Sequence, residues 1–291
     1  MKNKLFIYFC ISLVIILLLS GVVFGVKERT RFGKKTSEVI TIESVDGNIH
    51  TFYFKRGLLR GYTVTPIEKK GPFGGAEELE NDLVSYYKMD EKNGFVFDSN
   101  LNYDSINYGS DRGVSGKIGN CYSFDGVDDY VDSDIPLIFE DYTVSMWVYL
   151  EKNEGVQALF GQTITSNGHF RAQLENRDGK FRAYTNYEGG PASAWEDEVR
   201  NIGEWYHVVM VGDEASSSVK LYVNNELVSE SIKSGNYFPG RIQESTRMGA
   251  NGILAWRSHL YGKLDEVGVW SRALTSDDIS TLYNSGDGLS Y

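Results

Sequence analysis

Residue types that do chemistry are grouped at only a few places along this chain of 291 residues. Glu196-Asp197-Glu198 collects three carboxylates, and hydrolysis of a glycosidic bond needs two. Retaining enzymes hold theirs about 5–5.5 Å apart, which alternate strand positions of the form Glu-x-Asp-x-Glu achieve on one face of a groove. The run here has the wrong spacing. Glu196 and Glu198 would share a face only in an extended chain, and the surrounding sequence reads as a solvated acidic loop, so glycoside hydrolysis is disfavoured. His50, His169, His207 and His259 are isolated, without the His-x-x-x-His spacing of a zinc site. No Gly-x-Ser-x-Gly elbow or Walker loop is present, and the chain reads as a non-enzyme.

Recognition is better supplied. Residues 187–200 hold Tyr187 and Trp195 around a Gly-Gly-Pro, and residues 252–261 hold Trp256, Arg257 and His259. A sugar presents C–H faces that stack on flat rings while its hydroxyls need polar partners, so Trp beside Arg or His in an irregular segment suits glycan capture. The same residues suit a protein hot spot, and a Trp folded back over a sheet edge as local packing is the third reading.

The elements that must position these residues are strands. With 19 Tyr and 15 Phe against 5 Pro, the composition favours a pleated, half-buried surface over a helical bundle. Twelve runs of strand character succeed one another from residue 83 to residue 270, enough for a sandwich or barrel. Residues 143–150 show the period of two plainly: Val144, Met146, Val148 and Leu150 on one face, Ser145, Trp147 and Tyr149 on the other. Asp178-Gly179 and Asn224-Asn225 are hairpin turns. One helix is expected from an N-cap at Thr275, with Asp278 three residues on, to a stop near Gly286. Cys10 and Cys121 have no reason to pair, and Cys121 reads as a small buried hydrophobe.

Charge divides the chain. Up to Glu80 there are 12 Lys+Arg against 8 Asp+Glu; the remaining 17 against 32 leave −15 on the rest. A fold so acidic repels phosphate, which excludes nucleic acid and makes cations the natural inorganic partner. Residues 5–26 contain no charge and are long enough to cross a bilayer, so residues 1–26 read as a signal peptide or transmembrane anchor. Residues 27–65 read as a basic stalk with a β-hairpin over 38–54, turning at Asp46-Gly47, and residues 66–82 as a linker. The basic flank after residue 26 would by itself hold the downstream chain in the cytoplasm.

Three pieces carry a family resemblance: LVSYYKMDE from Leu83 with Asp98-Ser99 downstream, FDGVDDYVD from Phe124, and GKLDEVGVWSRALTSDDISTLYNSG from Gly262. With EWYHVVMV from Glu204 and VKLYVNNELV from Val219 between them, residues 83–291 resemble a laminin G-like jelly roll of the concanavalin A-like lectin and glucanase fold. The resemblance implies an all-β sandwich of two antiparallel sheets. It also implies a non-catalytic extracellular module, secreted or membrane-anchored, that binds glycan or a cell-surface protein by its rim loops or concave face. His207 is given a structural place. Calcium is implied at the matching acids, Asp125 in FDG and Asp265 in LDEV; six to eight oxygens are needed, and Asp128, Asp129 or Asp132 would assist. The alternative for Asp125 and Asp128 is capping of the turn at Gly126. An adhesive protein-binding role and a divergent glycoside hydrolase are the other functional readings.

Overall fold

The structure is a computed structural model describing residues 24–32, 37–43, 48–55, 58–66, 77–100, 102–136, 141–165, 169–187, 190–232, 245–251 and 258–289. Two compact units divide at residue 70.

In the first unit β1 (Phe24–Phe32), β2 (Ser37–Glu43), β3 (Asn48–Lys55) and β4 (Leu58–Pro66) form an antiparallel meander in that order. The expected hairpin is its centre, with Ile40 opposite Phe52 and Ile42 opposite His50. Its Asp46-Gly47 turn lies outside the described residues. A two-stranded hairpin is marginal in water, and the two flanking strands supply the missing ladders. The expected membrane segment lies outside the described residues as far as residue 23, while Phe24, Gly25 and Val26 open β1 instead of ending a helix. No helix among the described residues is long and apolar enough to cross a membrane.

The second unit is a sandwich of two antiparallel sheets. One contains β5 (Leu83–Tyr87), β7 (Asp111–Ser115), β8 (Asn120–Asp125), β10 (Tyr142–Leu150), β15 (Trp205–Asp213), β16 (Ser218–Val223), β17 (Glu226–Ile232) and β19 (Tyr261–Trp270). Its order is β17-β16-β15-β10-β19-β8-β7, with β5 also on β19. The other contains β6 (Ser105–Tyr108), β9 (Tyr130–Ser133), β11 (Val156–Thr165), β12 (His169–Arg177), β13 (Lys180–Tyr187), β14 (Gly190–Trp195) and β18 (Ser245–Met248), in the order β14-β13-β12-β11-β18-β9-β6.

Strand alternation places the core. Val144, Met146, Val148 and Leu150 of β10 join Phe160, Leu174, Phe181 and Met248 of the other sheet in one buried cluster. Both expected hairpin turns form with positive φ at the two central residues, Asp178 (51°) and Gly179 (83°), then Asn224 (51°) and Asn225 (68°). That geometry matches the right-handed twist of the flanking strands. β19 lies along β10 on one side, while its other edge pairs β8 from Tyr261 to Leu264 and β5 from Val267 to Trp270. At the changeover Glu266 takes φ 50° in a bulge.

The outer face of the eight-stranded sheet is closed by α1 (Glu77–Glu80) and α2 (Ser276–Tyr283). Leu79, Tyr86, Val209, Val211, Trp270, Ile279 and Leu282 form a second buried cluster there. The Trp270 indole N–H donates to Leu79 O at 2.7 Å. Residues 77–82 were expected as linker, yet Leu79 is 1% exposed, so the sandwich begins before residue 83. The cap of α2 forms as its sequence predicts. Thr275 Oγ1 accepts from Asp278 N, the Asp278 carboxylate accepts from Thr275 N, and Asn284 ends the helix in the left-handed region. His207 is buried, with Nε2 2.8 Å from Ser145 Oγ, and burial holds its imidazole neutral, its pKa lowered to about 3. Cys121 is buried too, its thiol pushed up to about 12 chiefly by desolvation.

Candidate functional site

The end of β8 brings carboxylates together. Asp125 Oδ1 accepts from Val127 N at 2.8 Å, and Asp129 Oδ2 accepts from Asp125 N at 2.9 Å, which folds the FDGVDD turn on itself. Gly126 takes φ 77°, and a Cβ there would lie 2.9 Å from the Tyr261 Cβ, so only glycine passes beneath that ring. Asp125, Asp128 and Asp129 offer oxygens that all lie within 4.8 Å of one another, the first two exposed and the third buried. Asp129 occupies a niche that a side chain at position 109 would fill, since a Cβ on Gly109 would stand 2.0 Å from Asp129 Oδ1. Desolvation pushes the Asp129 carboxyl above its usual range; the Asp125 N–H opposes this, and the charges of Asp125 and Asp128 add to it. A set of donors made only of oxygens, with repulsion to relieve, fits a hard cation such as calcium.

Asp265 is not part of this group. Asp125 faces Tyr261 in the β8–β19 ladder, and Asp265 lies four residues further along β19, roughly 13 Å at about 3.3 Å per residue. Fully buried, it accepts from Lys117 N (2.8 Å) and Ile118 N (2.9 Å) through Oδ2, fastening the turn before β8. Its pKa is raised to about 7 by desolvation, against which those two N–H groups work. The pair expected to share a calcium ion therefore splits into a turn carboxylate and a buried strut. Asp128 and Asp129 are the acids that accompany Asp125; Asp132 instead pairs with Arg247 at 3.2 Å.

A cleft of about 560 Å³ adjoins the acidic turn, walled by Asp125 and Gly126 on one side, by the segment from Lys152 to Gln157, and by His259 and Tyr261. His259 Nδ1 donates to Asp129 O at 3.2 Å, tying one wall to the turn. Gln157 bridges the others, accepting from Tyr261 N at 2.9 Å and donating to Lys152 O at 2.8 Å. The Tyr261 side chain is 42% exposed. Trp256 and Arg257, expected beside His259, lie outside the described residues. Lys152, Gln157 and Tyr261 were missed by sequence reasoning, because the β8–β19 register sets Tyr261 opposite Asp125 and the Gln157 side chain then ties Lys152 to Tyr261.

Trp195 sits elsewhere. Expected in an irregular loop, it ends β14 instead, opposite Arg182. Gly190-Pro191-Ala192 carries no β-branched residue, which hid the strand. Trp195 is 37% exposed, and its ring meets the guanidinium groups of Arg182 at 4.6 Å and Arg177 at 5.6 Å. Tyr187 closes β13 opposite Gly190. Beneath the arginines Glu175, 1% exposed, accepts from Arg182 (3.0 Å), Arg177 (3.2 Å) and Gln173 (2.6 Å). The acidic run after Trp195 is not uniformly solvated. Asp197 and Glu198 are exposed, but Glu196 is 2% exposed, accepting from Phe181 N at 2.5 Å and from Arg200 at 2.9 Å. Desolvation raises its pKa.

The laminin G-type model of the concanavalin A-like lectin/glucanases superfamily matches residues 125–280. No curated protein matches the chain. Among solved structures, the receptor-binding domain of botulinum neurotoxin mosaic serotype C/D is similar at 17% identity and TM-score 0.56, over 71% of this chain and 51% of that one. The receptor-binding domain of botulinum neurotoxin D aligns at 14% and 0.54, over 72% and 54%. Trypanosoma rangeli sialidase, in complex with 2,3-difluorosialic acid, aligns at 14% and 0.55, over 87% and 49%. The chain spans about half the length of each, and identities this low speak for the fold alone.

Proposed function

The chain belongs to the concanavalin A-like lectin/glucanases superfamily, and we propose that it is a non-catalytic module that captures carbohydrate outside the cell through the rim cleft beside Asp125. The cleft carries the proposal: about 560 Å³, within the range that holds a small ligand, with the half-open Tyr261 ring as a stacking surface and His259, Lys152, Gln157 and Asp125 spaced around it. Calcium belongs to the same reading. Asp125, Asp128 and Asp129 would hold the ion, and it would supply a fixed positive charge against which sugar hydroxyls orient. Export or anchoring by residues 1–26 is the matching proposal for location, supported by their uncharged apolar run.

Two observations favour binding over hydrolysis. Glu175 and Glu196 are already engaged with arginines, so neither is poised to protonate a leaving group. Release of reducing sugar by the purified chain, stopped by Glu196→Gln, would reverse that judgement. A protein partner is the second reading, favoured by Phe95 (59% exposed), Phe97 (53%) and Ile106 (48%) clustered where Val96 bridges to Ser105 of β6. A glycan array read with calcium and with chelator decides between them. Glycan binding that chelation weakens and Tyr261→Ala abolishes is the expected outcome; an array silent under both conditions sinks the carbohydrate reading.

A further inference from the structure

Asparagine is followed by glycine at Asn93-Gly94, Asn167-Gly168 and Asn251-Gly252, and only the first pair lies wholly among the described residues. Residues 92–95 are all exposed, in a loop between β5 and the bridge at Val96. The loop is fastened around that pair. Glu91 accepts from Phe97 N at 3.0 Å through Oε1 and from the Tyr122 hydroxyl at 2.9 Å through Oε2, while Gly94 O accepts from Arg112 Nη1 at 2.7 Å. Between these ties the peptide itself is free: neither the Asn93 side-chain amide nor the Gly94 N–H makes a hydrogen bond among the described residues. Gly94 takes φ 81°, and a Cβ built there would meet nothing within 4 Å. Asn251, by contrast, is 4% exposed.

A backbone nitrogen attacks the side-chain amide of the preceding asparagine where that nitrogen keeps no hydrogen bond, no Cβ shields it and the chain bends easily. We propose that Asn93 is a modification site at which the chain converts its own side-chain amide to a carboxylate, changing the surface that carries Phe95 and Phe97. The Gly94 nitrogen bonds to Asn93 Cγ, and the side-chain nitrogen leaves as ammonia, taking the proton that Gly94 gives up. Water then opens the cyclic imide. Cleavage at Cγ yields aspartate; cleavage at the Asn93 backbone carbonyl yields isoaspartate, whose main chain runs through Cβ and Cγ. Water is the one co-reactant, and nothing is oxidised or reduced. Either product places a new negative charge in the loop that Glu91 closes. Phe95 is 59% exposed and Phe97 53%. A partner that covers this apolar surface must then desolvate the charge, so conversion weakens docking there. The site is a clock on that surface, and it holds whether or not the rim cleft takes a sugar.

The full chain, kept in mildly alkaline buffer for days beside a sample held in mild acid, is digested and read by mass spectrometry. Base draws the proton from the Gly94 nitrogen, so conversion should be concentrated in the alkaline sample. The peptide that contains Asn93 should gain the mass difference between NH2 and OH, mostly as isoaspartate, which an isoaspartyl methyltransferase labels. Conversion at Asn93 should outrun that at Asn251 at least about tenfold, because a buried asparagine must wait for local opening. Asn93→Gln should leave the peptide unchanged. Gly94→Ala, strained at its positive φ but meeting no neighbour, should slow conversion about tenfold or more, since a Cβ shields the nitrogen. Asn93→Asp installs the charge at once and should elute earlier than the parent chain from a hydrophobic-interaction column. An unaltered Asn93 peptide, equal conversion at Asn93 and Asn251, or an undiminished rate in Gly94→Ala overturns the modification; unchanged elution of Asn93→Asp overturns its effect on the surface.

Discussion

The two sheets of the sandwich turn opposite kinds of surface outward. On the eight-stranded sheet the outward side chains include Trp147, His207, Val209 and Trp270, all buried, with Tyr283 of α2 stacked 5.8 Å from Trp147 and Leu79 of α1 against Trp270. On the seven-stranded sheet the outward positions carry Arg182, Glu175, Arg247 and a 37% exposed Trp195. A tryptophan is present on both faces, so residue type alone does not separate them. What separates them among the described residues is whether a helix lands on the face: the helix-covered aromatics hold the fold, while Trp195 lies among arginines with no described helix over it.

Three measurements test this contrast. Trp270→Ala should cost about 3–5 kcal/mol of unfolding free energy, read by chemical denaturation, because it empties the second cluster and orphans Leu79 O. A loss under about 1 kcal/mol would show that the helices contribute little. The next effect is one of pH. Desolvation raises Asp265 from 3.8 to about 7 and Glu266 from 4.5 to about 8, so the folded chain holds protons that the unfolded chain has released. Stability therefore falls as pH rises through these values and levels off above them. Buried His207 acts oppositely below its ordinary value of 6.5, where the unfolded chain binds the extra proton. The steepest fall in thermal midpoint should lie between about pH 6.5 and 8, and Asp265→Asn should flatten it. A midpoint that climbs across that window would refute the assignment. The smallest effect belongs to the other face: Trp195→Ala should change stability by about 1 kcal/mol or less, since among the described residues its ring makes two cation–π contacts. A loss comparable with that of Trp270→Ala would mean that Trp195 is a structural residue.

Sequence patterning revealed the covered face more fully than the open one. The period of two in β10 and the Thr275–Asp278 capping box are local signals, and both appear where they were expected. The open face depends on register. Glu175 meets Arg182 because the two-residue turn at Asp178-Gly179 sets Arg177 opposite Lys180, a consequence the turn already implies but which composition does not display. β14 escaped because an edge strand of small residues carries almost no alternation. Asp125 and Asp265 sit in motifs that match a family, yet their separation along β19 is a property of the ladder and of no short motif. Glu196 was misjudged for a related reason: its burial comes from closing the start of β13, fifteen residues earlier in the chain.

β19 is the last described strand of the sandwich, and it pairs with β5, the first strand of its sheet, as well as with β8 and β10. During synthesis, then, β5 emerges from the ribosome with its partner β19 still untranslated and must wait, unpaired, for most of the sandwich to be made. Completion of this sheet is a late event that closes several long loops at once when β19 arrives, which predicts slow folding.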